Sequence, residues 1–179
     1  KNARLVEMGT DGVRKARSPG HETRSILGGF LRQEIDHGDP VGAEWKVVSR
    51  KTPTDAELAA LRFAWRACIT AKSNAILLAA PIDPANPAEG FATVGIGSGQ
   101  PNRVDSTRIA ALRAGDKARG SVLASDAFFP FPDSAQAAAE AGIAAIAHPG
   151  GSIRDAESVA AADAAGIAMV VTGVRHFLH

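Results

Sequence analysis

Residues 125–134 (SDAFFPFPDS) combine side chains that can bind a flat polar ligand. Three Phe and two Pro lie between two Asp. The prolines restrict the backbone and lower the entropic cost of holding the rings in place, and a rigid Phe face suits a flat heterocycle. Asp133 can accept hydrogen bonds from ring N–H groups, so the segment is predicted to be a stiff, ligand-facing turn. Alternatively, Asp133 caps the next helix and the Phe rings fill the core.

Residues 149–155 (PGGSIRD) are a candidate for binding an anion or a polar ring edge. Gly150 and Gly151 are expected to leave backbone amides exposed, and Ser152 with Asp155 resembles a helix capping box. A helix N-terminus after such a turn favours an anion or the edge of a polar ring. An ordinary strand-to-helix turn capped by Ser152 fits the same pattern.

Residues 95–103 (GIGSGQPNR) contain three Gly in five positions after a predicted strand. Their spacing matches neither the dinucleotide fingerprint nor the P-loop, so they are a weak phosphate signature. Arg103 is more informative because guanidinium groups hold phosphates and carboxamides. The alternative is a solvated surface arginine.

The composition excludes several classes of function. The net charge of +1 gives no broad field that would attract nucleic acid or a membrane surface, and no apolar run is long enough to span a bilayer. Cys68 is the sole cysteine, which rules out an internal disulfide framework and indicates a reducing, cytoplasmic location. His148, His176 and His179 lack a companion ligand at metal spacing, so no metal site is predicted. The chain begins with Lys and is expected to be a fragment or a processed product.

The second half of the chain alternates strands and helices. Strands are predicted at 122–127, 143–147 and 167–172, with helices at 133–141 and from the 149–152 loop to 165. This alternation implies a parallel core with helical crossovers. Ligands collect beyond the carboxyl ends of such strands, so the three following loops are expected to converge on one edge.

The first half is predicted to be more irregular. A capping box at Thr54 and Glu57 predicts a helix that buries Trp65 and Cys68. Further elements are expected at 4–8 (strand), 9–22 (loop), 24–35 (strand with a bulge), 45–49 (strand), 75–80 and 91–97 (a strand hairpin joined by a loop at 81–90) and 104–117 (helix). The fold class is therefore α/β, with a mixed sheet whose antiparallel part comes first.

Five motifs in order resemble the AICAR transformylase family. This is the formyltransferase part of a bifunctional purine-biosynthesis protein that also carries IMP cyclohydrolase, and the motifs are SNAI, VGIGSGQPNR, ASDAFFPFPD, HPGGSIRD and TGVRHFLH. The resemblance implies a connecting segment at 1–70, with extended strands and one helix, and a second cytidine-deaminase-like subdomain at 71–179 without zinc. It also implies a homodimer that transfers a formyl group from 10-formyltetrahydrofolate to AICAR.

The resemblance assigns binding roles residue by residue. Nucleotide contacts fall on Asn74, Arg103, Phe128 and Arg175, and folate contacts on Val104, Asp133, Ser152 and Ile153. Two departures stand out. Pro132 occupies a position where the family commonly has Arg, and the adjacent Lys-His pair that the family uses for catalysis is absent, so no catalytic residue is assigned.

Three functional hypotheses follow. The first is a C-terminal part of the transformylase that binds portions of AICAR and folate without the full catalytic equipment. The second is a non-catalytic binding or assembly half that needs a partner, either a second copy or a chain supplying the missing N-terminal half. The third is a generic α/β nucleotide-binding protein that is indifferent to folates.

Overall fold

The computed structural model describes residues 20–178, which form two compact units divided between His37 and Gly38. The predicted strand at 4–8, most of the predicted loop at 9–22, and His179 lie outside the described residues. From the predicted connecting segment at 1–70, one short strand and one helix belong to the larger unit.

The smaller unit contains an antiparallel hairpin of β1 (His21–Ile26) and β2 (Gly29–Glu34). The prediction of one bulged strand over 24–35 is wrong, as is the extension of the preceding loop to Glu22. The turn consists of Leu27 and Gly28, and Gly28 has a φ of 83°. Glycine adopts this left-handed conformation without a steric penalty, which allows the chain to reverse here rather than bulge.

The larger unit is built on a six-stranded sheet in the order β3-β8-β7-β6-β4-β5. Its strands are β3 (Lys46–Val47), β4 (Ile76–Pro81), β5 (Phe91–Gly97), β6 (Val122–Ser125), β7 (Ala145–His148) and β8 (Ala168–Val171). Strands β6, β7 and β8 are parallel, whereas β4 runs antiparallel to both β5 and β6. The predicted α/β class, mixed sheet and β4–β5 hairpin are thus confirmed.

Within residues 20–178, four α-helices accompany the sheet: α1 (Asp55–Cys68), α2 (Arg103–Ala114), α3 (Asp133–Glu140) and α4 (Asp155–Ala164). Short 3₁₀ turns at Pro87–Glu89 and Gly115–Ala118 complete the connections. Helices α3 and α4 are the predicted crossovers between parallel strands. None of the described helices is long and apolar enough to cross a membrane.

Helix α1 begins where local sequence chemistry predicts. The Glu57 amide donates to Thr54 Oγ1 at 3.1 Å, and the Thr54 amide donates to Glu57 Oε2 at 2.7 Å, which completes the capping box. One face of the helix is buried against the sheet, and on that face Trp65 and Cys68 are each 1% exposed. Both residues are therefore in the core, as predicted.

The sheet separates two hydrophobic clusters because successive strand residues point to opposite faces. On one face, Leu77 and Ala124 pack with residues of α1, including Leu61. On the other face, Leu78 and Ile146 pack with residues of α2, α3 and α4. Helix α2 approaches β5 so closely that a Cβ on Gly97 would collide with the Ser106 carbonyl. These contacts fix the strand ends from which the loops of the candidate site emerge.

Candidate functional site

Five polar segments meet at one edge of the sheet. The parallel strands β6, β7 and β8 all end there, and the register of β4 brings its first residue, Ile76, beside Ser125 of β6 and Gly97 of β5. The segments at this edge are 72–75, 98–102, 126–132, 149–154 and 172–178. We call this set the carboxyl edge, and it carries the three loops that the sequence predicted to converge.

Backbone hydrogen bonds tie the segments of the carboxyl edge to one another. The Asp126 amide donates to the Ala75 carbonyl at 3.2 Å, and the Asp126 carbonyl accepts from the His176 amide at 3.0 Å. The Gly173 amide donates to the Pro149 carbonyl at 3.1 Å. Segment 172–178 therefore crosses the ends of the other loops and holds them in register.

A buried ion pair lies at the centre of the carboxyl edge. Arg103, the first residue of α2, donates from Nη2 to Asp126 Oδ1 at 3.2 Å, and the two side chains are 11% and 0% exposed. The sequence left open whether Arg103 belongs to a site or is a solvated surface arginine. The solvated alternative is wrong, because the side chain is buried. Arg103 Nε and Asp126 Oδ2 have no hydrogen-bond partner within residues 20–178. Both atoms are buried, so the ion pair contains one desolvated polar atom on each side whose hydrogen-bonding capacity the described residues leave unfilled.

Burial changes the acid–base properties of this centre. Removal from water lowers the pKa of the Arg103 guanidinium, while the neighbouring Asp126 carboxylate opposes that shift. The pKa of the Cys68 thiol is raised, first by burial and then by the negative charge of Asp126. Cys68 is therefore a protonated core side chain and not a nucleophile.

Asn74 lies beside this centre. Its side-chain Nδ2 and its backbone amide both donate to the Gln100 carbonyl, at 2.9 and 3.3 Å. The Asn74 carbonyl accepts from Ser106 Oγ at 2.8 Å, which ties this segment to α2. This contact uses one of the two Nδ2 hydrogens, so Asn74 keeps one side-chain donor and its amide oxygen for a ligand.

The three Phe of the opening segment have three different environments. Phe128 is half-buried beneath the guanidinium of Arg175, at 4.8 Å from the ring centroid. Phe131 is 49% exposed and lies beneath Arg154 at 5.0 Å. Phe129 is fully buried and fills the core, as the alternative interpretation predicts for these rings, whereas Phe128 and Phe131 remain near the surface beneath cations. That they face a ligand stays a prediction.

Phe129 stacks on the side chain of His148 at the end of β7. The ring centroids are 5.0 Å apart and the planes differ by 3°. His148 is fully buried, and desolvation lowers its pKa to about 4 against a weaker opposing effect of Asp155. The Gly150 amide donates to His148 Nδ1 at 3.3 Å, which leaves the proton of the neutral ring on Nε2.

The 149–155 loop differs from its prediction. The expected free amides are engaged within the protein, because the Gly151 amide donates to Asp155 Oδ2 at 2.6 Å and the Ser152 amide to Asp155 Oδ1 at 3.2 Å. Ser152 Oγ accepts from the Arg154 amide at 3.1 Å, while Ile153 projects fully into solvent. The capping interaction thus runs from Asp155 back to the loop, and no open amide nest remains at these positions.

The remaining assigned residues lie on helix starts. Val104 follows Arg103 in α2 and is half-buried. Asp133 is the first residue of α3 and accepts from the Ser134 amide at 2.8 Å, a bond that engages one carboxylate oxygen. Asp133 is half-buried. Its negative charge stabilises the N-terminus of α3, and its second oxygen remains for a ligand.

The assigned residues lie on or next to the carboxyl edge, but not all of them contact one another. Phe128 and Arg175 are in contact, and a Cβ on Gly151 would lie 3.4 Å from Arg175 Nη2, which places this cation next to the loop of Ser152. Among residues 20–178, no group of three or more potential ligands is arranged to hold a metal ion.

Sequence reasoning missed two groups that organise the site. Asp126 directly follows a buried strand at its carboxyl end, a position that could have identified it as the partner of Arg103. Asp39 accepts from Trp65 Nε1 at 2.9 Å and pairs with His176 Nε2 at 3.0 Å, and so anchors segment 172–178. No local sequence pattern predicts the role of Asp39, because its partners are distant in sequence.

The mixed six-stranded sheet with helices on both faces makes this an α/β domain, and in open α/β sheets ligands commonly bind beyond the carboxyl ends of the strands. The family model described as AICARFT/IMPCHase bienzyme matches residues 1–113. The chain belongs to this family. It is 51% identical over 179 residues to the "Bifunctional purine biosynthesis protein PurH" of Desulfitobacterium hafniense, and 56% identical over 161 residues to the protein of the same name from Chloroflexus aurantiacus.

These matches cover 100% and 88% of this chain but 32% and 30% of the relatives, so the chain spans about a third of their length. Among solved structures, "Acinetobacter baumannii RibD, form 2" aligns with 65% of this chain and 34% of its own, at 15% identity and a TM-score of 0.41. A likeness this distant carries no argument about function.

Proposed function

We propose that this chain is the C-terminal part of the AICAR transformylase region of its family, and that its carboxyl edge binds AICAR and 10-formyltetrahydrofolate. The observation that carries the proposal is the meeting of all five sequence motifs at that edge. Family membership and identities above 50% support it. We further propose that the larger unit is a cytidine-deaminase-like subdomain without zinc.

The nucleotide is proposed to contact the centre of the edge. Asn74 presents an amide oxygen to a carboxamide or ring amine, and Arg103, whose side chain is 11% exposed, is proposed to donate from its guanidinium to a carbonyl or phosphate oxygen. The half-buried ring of Phe128 provides a flat surface for the imidazole. Arg175, already stacked on that ring, is positioned to hold an anionic oxygen above it.

The folate is proposed to lie over the adjoining helix starts. Asp133 has one carboxylate oxygen beyond its bond to Ser134, and this oxygen can accept from the N–H edge of a pterin. Ser152 contributes a hydroxyl, and the solvent-facing Ile153 contributes apolar surface. Val104, next to Arg103 in α2, is the remaining proposed folate contact.

Formyl transfer requires two chemical events: loss of a proton from the attacking amine, and stabilisation of negative charge on the formyl oxygen. The carboxyl edge can bind and orient the reactants, but the chain contains no adjacent Lys-His pair. A second candidate is therefore a substrate-binding half of a cytoplasmic homodimer, in which a separate N-terminal part supplies the pair that a second copy of this chain would also lack.

Calorimetric titration tests the binding proposal. AICAR and a stable folate analogue are each expected to bind the chain, with Phe128→Ala weakening AICAR and Asp133→Ala weakening the analogue by about tenfold. Leu112→Ala and Asp116→Ala, both exposed and outside the carboxyl edge, are controls that should leave both affinities unchanged. Binding of common nucleotides with indifference to folates would favour the generic nucleotide-binding alternative.

A complementation assay tests the second candidate. Formyl transfer is measured for the chain alone, for an upstream part bearing an adjacent Lys-His pair alone, and for the two mixed. Activity only in the mixture supports the binding-half proposal. Full activity of the chain alone would contradict it.

A further inference from the structure

A second concave site lies on the α1 side of the sheet, outside the carboxyl edge. It has a volume of about 420 Å³ and is lined by Asp39, Trp45, Arg62, Phe63, Trp65 and Arg66. This volume is in the range of small-molecule sites. None of its lining residues belongs to the proposed nucleotide or folate contacts, so the proposed function leaves the cleft unexplained.

The charge of the cleft is positive and unbalanced. Arg62 and Arg66 lie four residues apart on α1, so their Cβ atoms are roughly 6 Å apart on one helix face. Within residues 20–178, neither guanidinium forms an ion pair with a carboxylate. The carboxylate of Asp39 is engaged by the Trp65 indole and by His176. The lining therefore holds two arginines against one carboxylate, and neither arginine is paired with it. The two adjacent cations repel one another, and an anion bound between them would remove that repulsion.

The aromatic walls hold one of these cations in place. The Arg62 guanidinium stacks on the Trp45 ring at 5.2 Å, which restrains its plane and leaves its N–H edge available. Trp45 packs edge-on against Trp65, with ring centroids 5.9 Å apart. Phe63 is half-buried and adds a flat apolar surface beside the two arginines. The cleft therefore combines a prearranged guanidinium fork with ring surfaces that suit a planar body.

We propose that this cleft is a ligand site for a planar aromatic anion of the purine nucleoside monophosphate class. The phosphate lies between Arg62 and Arg66, and the ring packs against Phe63 and the accessible part of Trp45. Neither part of such a ligand uses the carboxyl edge. The two sites share no proposed ligand contact, although Asp39 and Trp65 of the cleft also contact His176 of segment 172–178. Either proposal can therefore fail while the other holds.

Intrinsic fluorescence reports on this cleft directly, because the chain has two Trp and no Tyr and both Trp line it. Titration with AMP is expected to quench the emission saturably. Arg62→Gln and Arg66→Gln should each weaken binding at least about tenfold, since each removes charge-assisted hydrogen bonds. Arg108→Gln, an exposed arginine on α2, is the matched control and should bind as the parent does.

Adenosine and inorganic phosphate separate the two halves of the ligand. Both are expected to bind more weakly than AMP, because each occupies only the aromatic or only the cationic part. The proposal is overturned if millimolar AMP causes no quenching in a chain whose circular dichroism shows it folded. It is equally overturned if Arg62→Gln and Arg66→Gln titrate like the parent, or if the quenching is lost in Phe128→Ala, since that result would place the ligand at the carboxyl edge.

Discussion

Replacing Arg103 by Met should strongly destabilise the protein. The methionine keeps much of the apolar stem but removes the guanidinium that lies 3.2 Å from Asp126. Asp126 is fully buried, and one of its oxygens already has no partner among the described residues. The substitution would leave a buried carboxylate without a cation, which costs about 3–5 kcal/mol. For a chain of this size, the melting temperature should fall by on the order of 10 °C.

A double-mutant cycle separates the charge effect from lost packing. Asp126→Asn removes the buried negative charge, so Arg103→Met combined with Asp126→Asn should be less destabilised than the sum of the two single variants, by about 1–3 kcal/mol. Urea denaturation of the four proteins measures this coupling. Arg108→Met, which breaks an exposed pair with Asp105 on the same helix, is the control and should cost less than about 1 kcal/mol.

The ion-pair reasoning fails if Arg103→Met loses no more stability than Arg108→Met, or if the single substitutions are strictly additive. Either result would mean that Asp126 is not a buried charge dependent on Arg103. The same variants also bear on binding. The double variant should lose affinity for AICAR even where its stability has recovered, because the guanidinium of Arg103 is removed.

Three further predictions concern other parts of the structure. Because His148 is buried in its neutral form with a pKa lowered from 6.5 to about 4, the unfolded state binds its proton first. Stability should fall as the pH drops from about 6.5 towards 4, by up to about 3 kcal/mol, and urea midpoints of His148→Gln should show a shallower pH dependence. Asp39→Ala strands the indole and imidazole donors that it accepts from and should cost about 1–3 kcal/mol in urea denaturation, whereas the exposed Asp116→Ala should be neutral. Gly97→Ala forces a Cβ against a backbone carbonyl of α2 and should lower the free energy of unfolding by about 3 kcal/mol or more; Gly29→Ala, with open space around it, should have little effect, and equal melting temperatures for the two variants would refute the close-packing argument.

Local chemistry and periodicity account for the parts of the fold that the sequence predicts. The capping box at Thr54 starts α1, and alternating apolar runs and helices produce the parallel strands β6, β7 and β8. These signals depend on residues close together in the chain, so they can be recognised in a single sequence without a structure. The hairpin of β1 and β2 was missed because adjacent glycines at 28 and 29 suit a bulge or a turn, and the choice depends on pairing along both arms.

The candidate site shows where sequence reasoning stops. The environment of Arg103 depends on Asp126, 23 positions away, and its depth depends on how α2 packs against the sheet. The amides near Ser152 were expected to be open, but Asp155 turns its carboxylate back to them instead of leaving them for a ligand. Asp39 and His176, 137 positions apart, form a contact that only the folded chain reveals.

The central claim is that the carboxyl edge forms one binding surface for AICAR and a folate. Its most direct test is a crystal structure of the chain soaked with both AICAR and a stable folate analogue. The account predicts the nucleotide within hydrogen-bond distance of Asn74, Arg103 and Arg175, with the pterin beside Asp133. Well-ordered ligands bound at any other surface, with this edge empty, would contradict it.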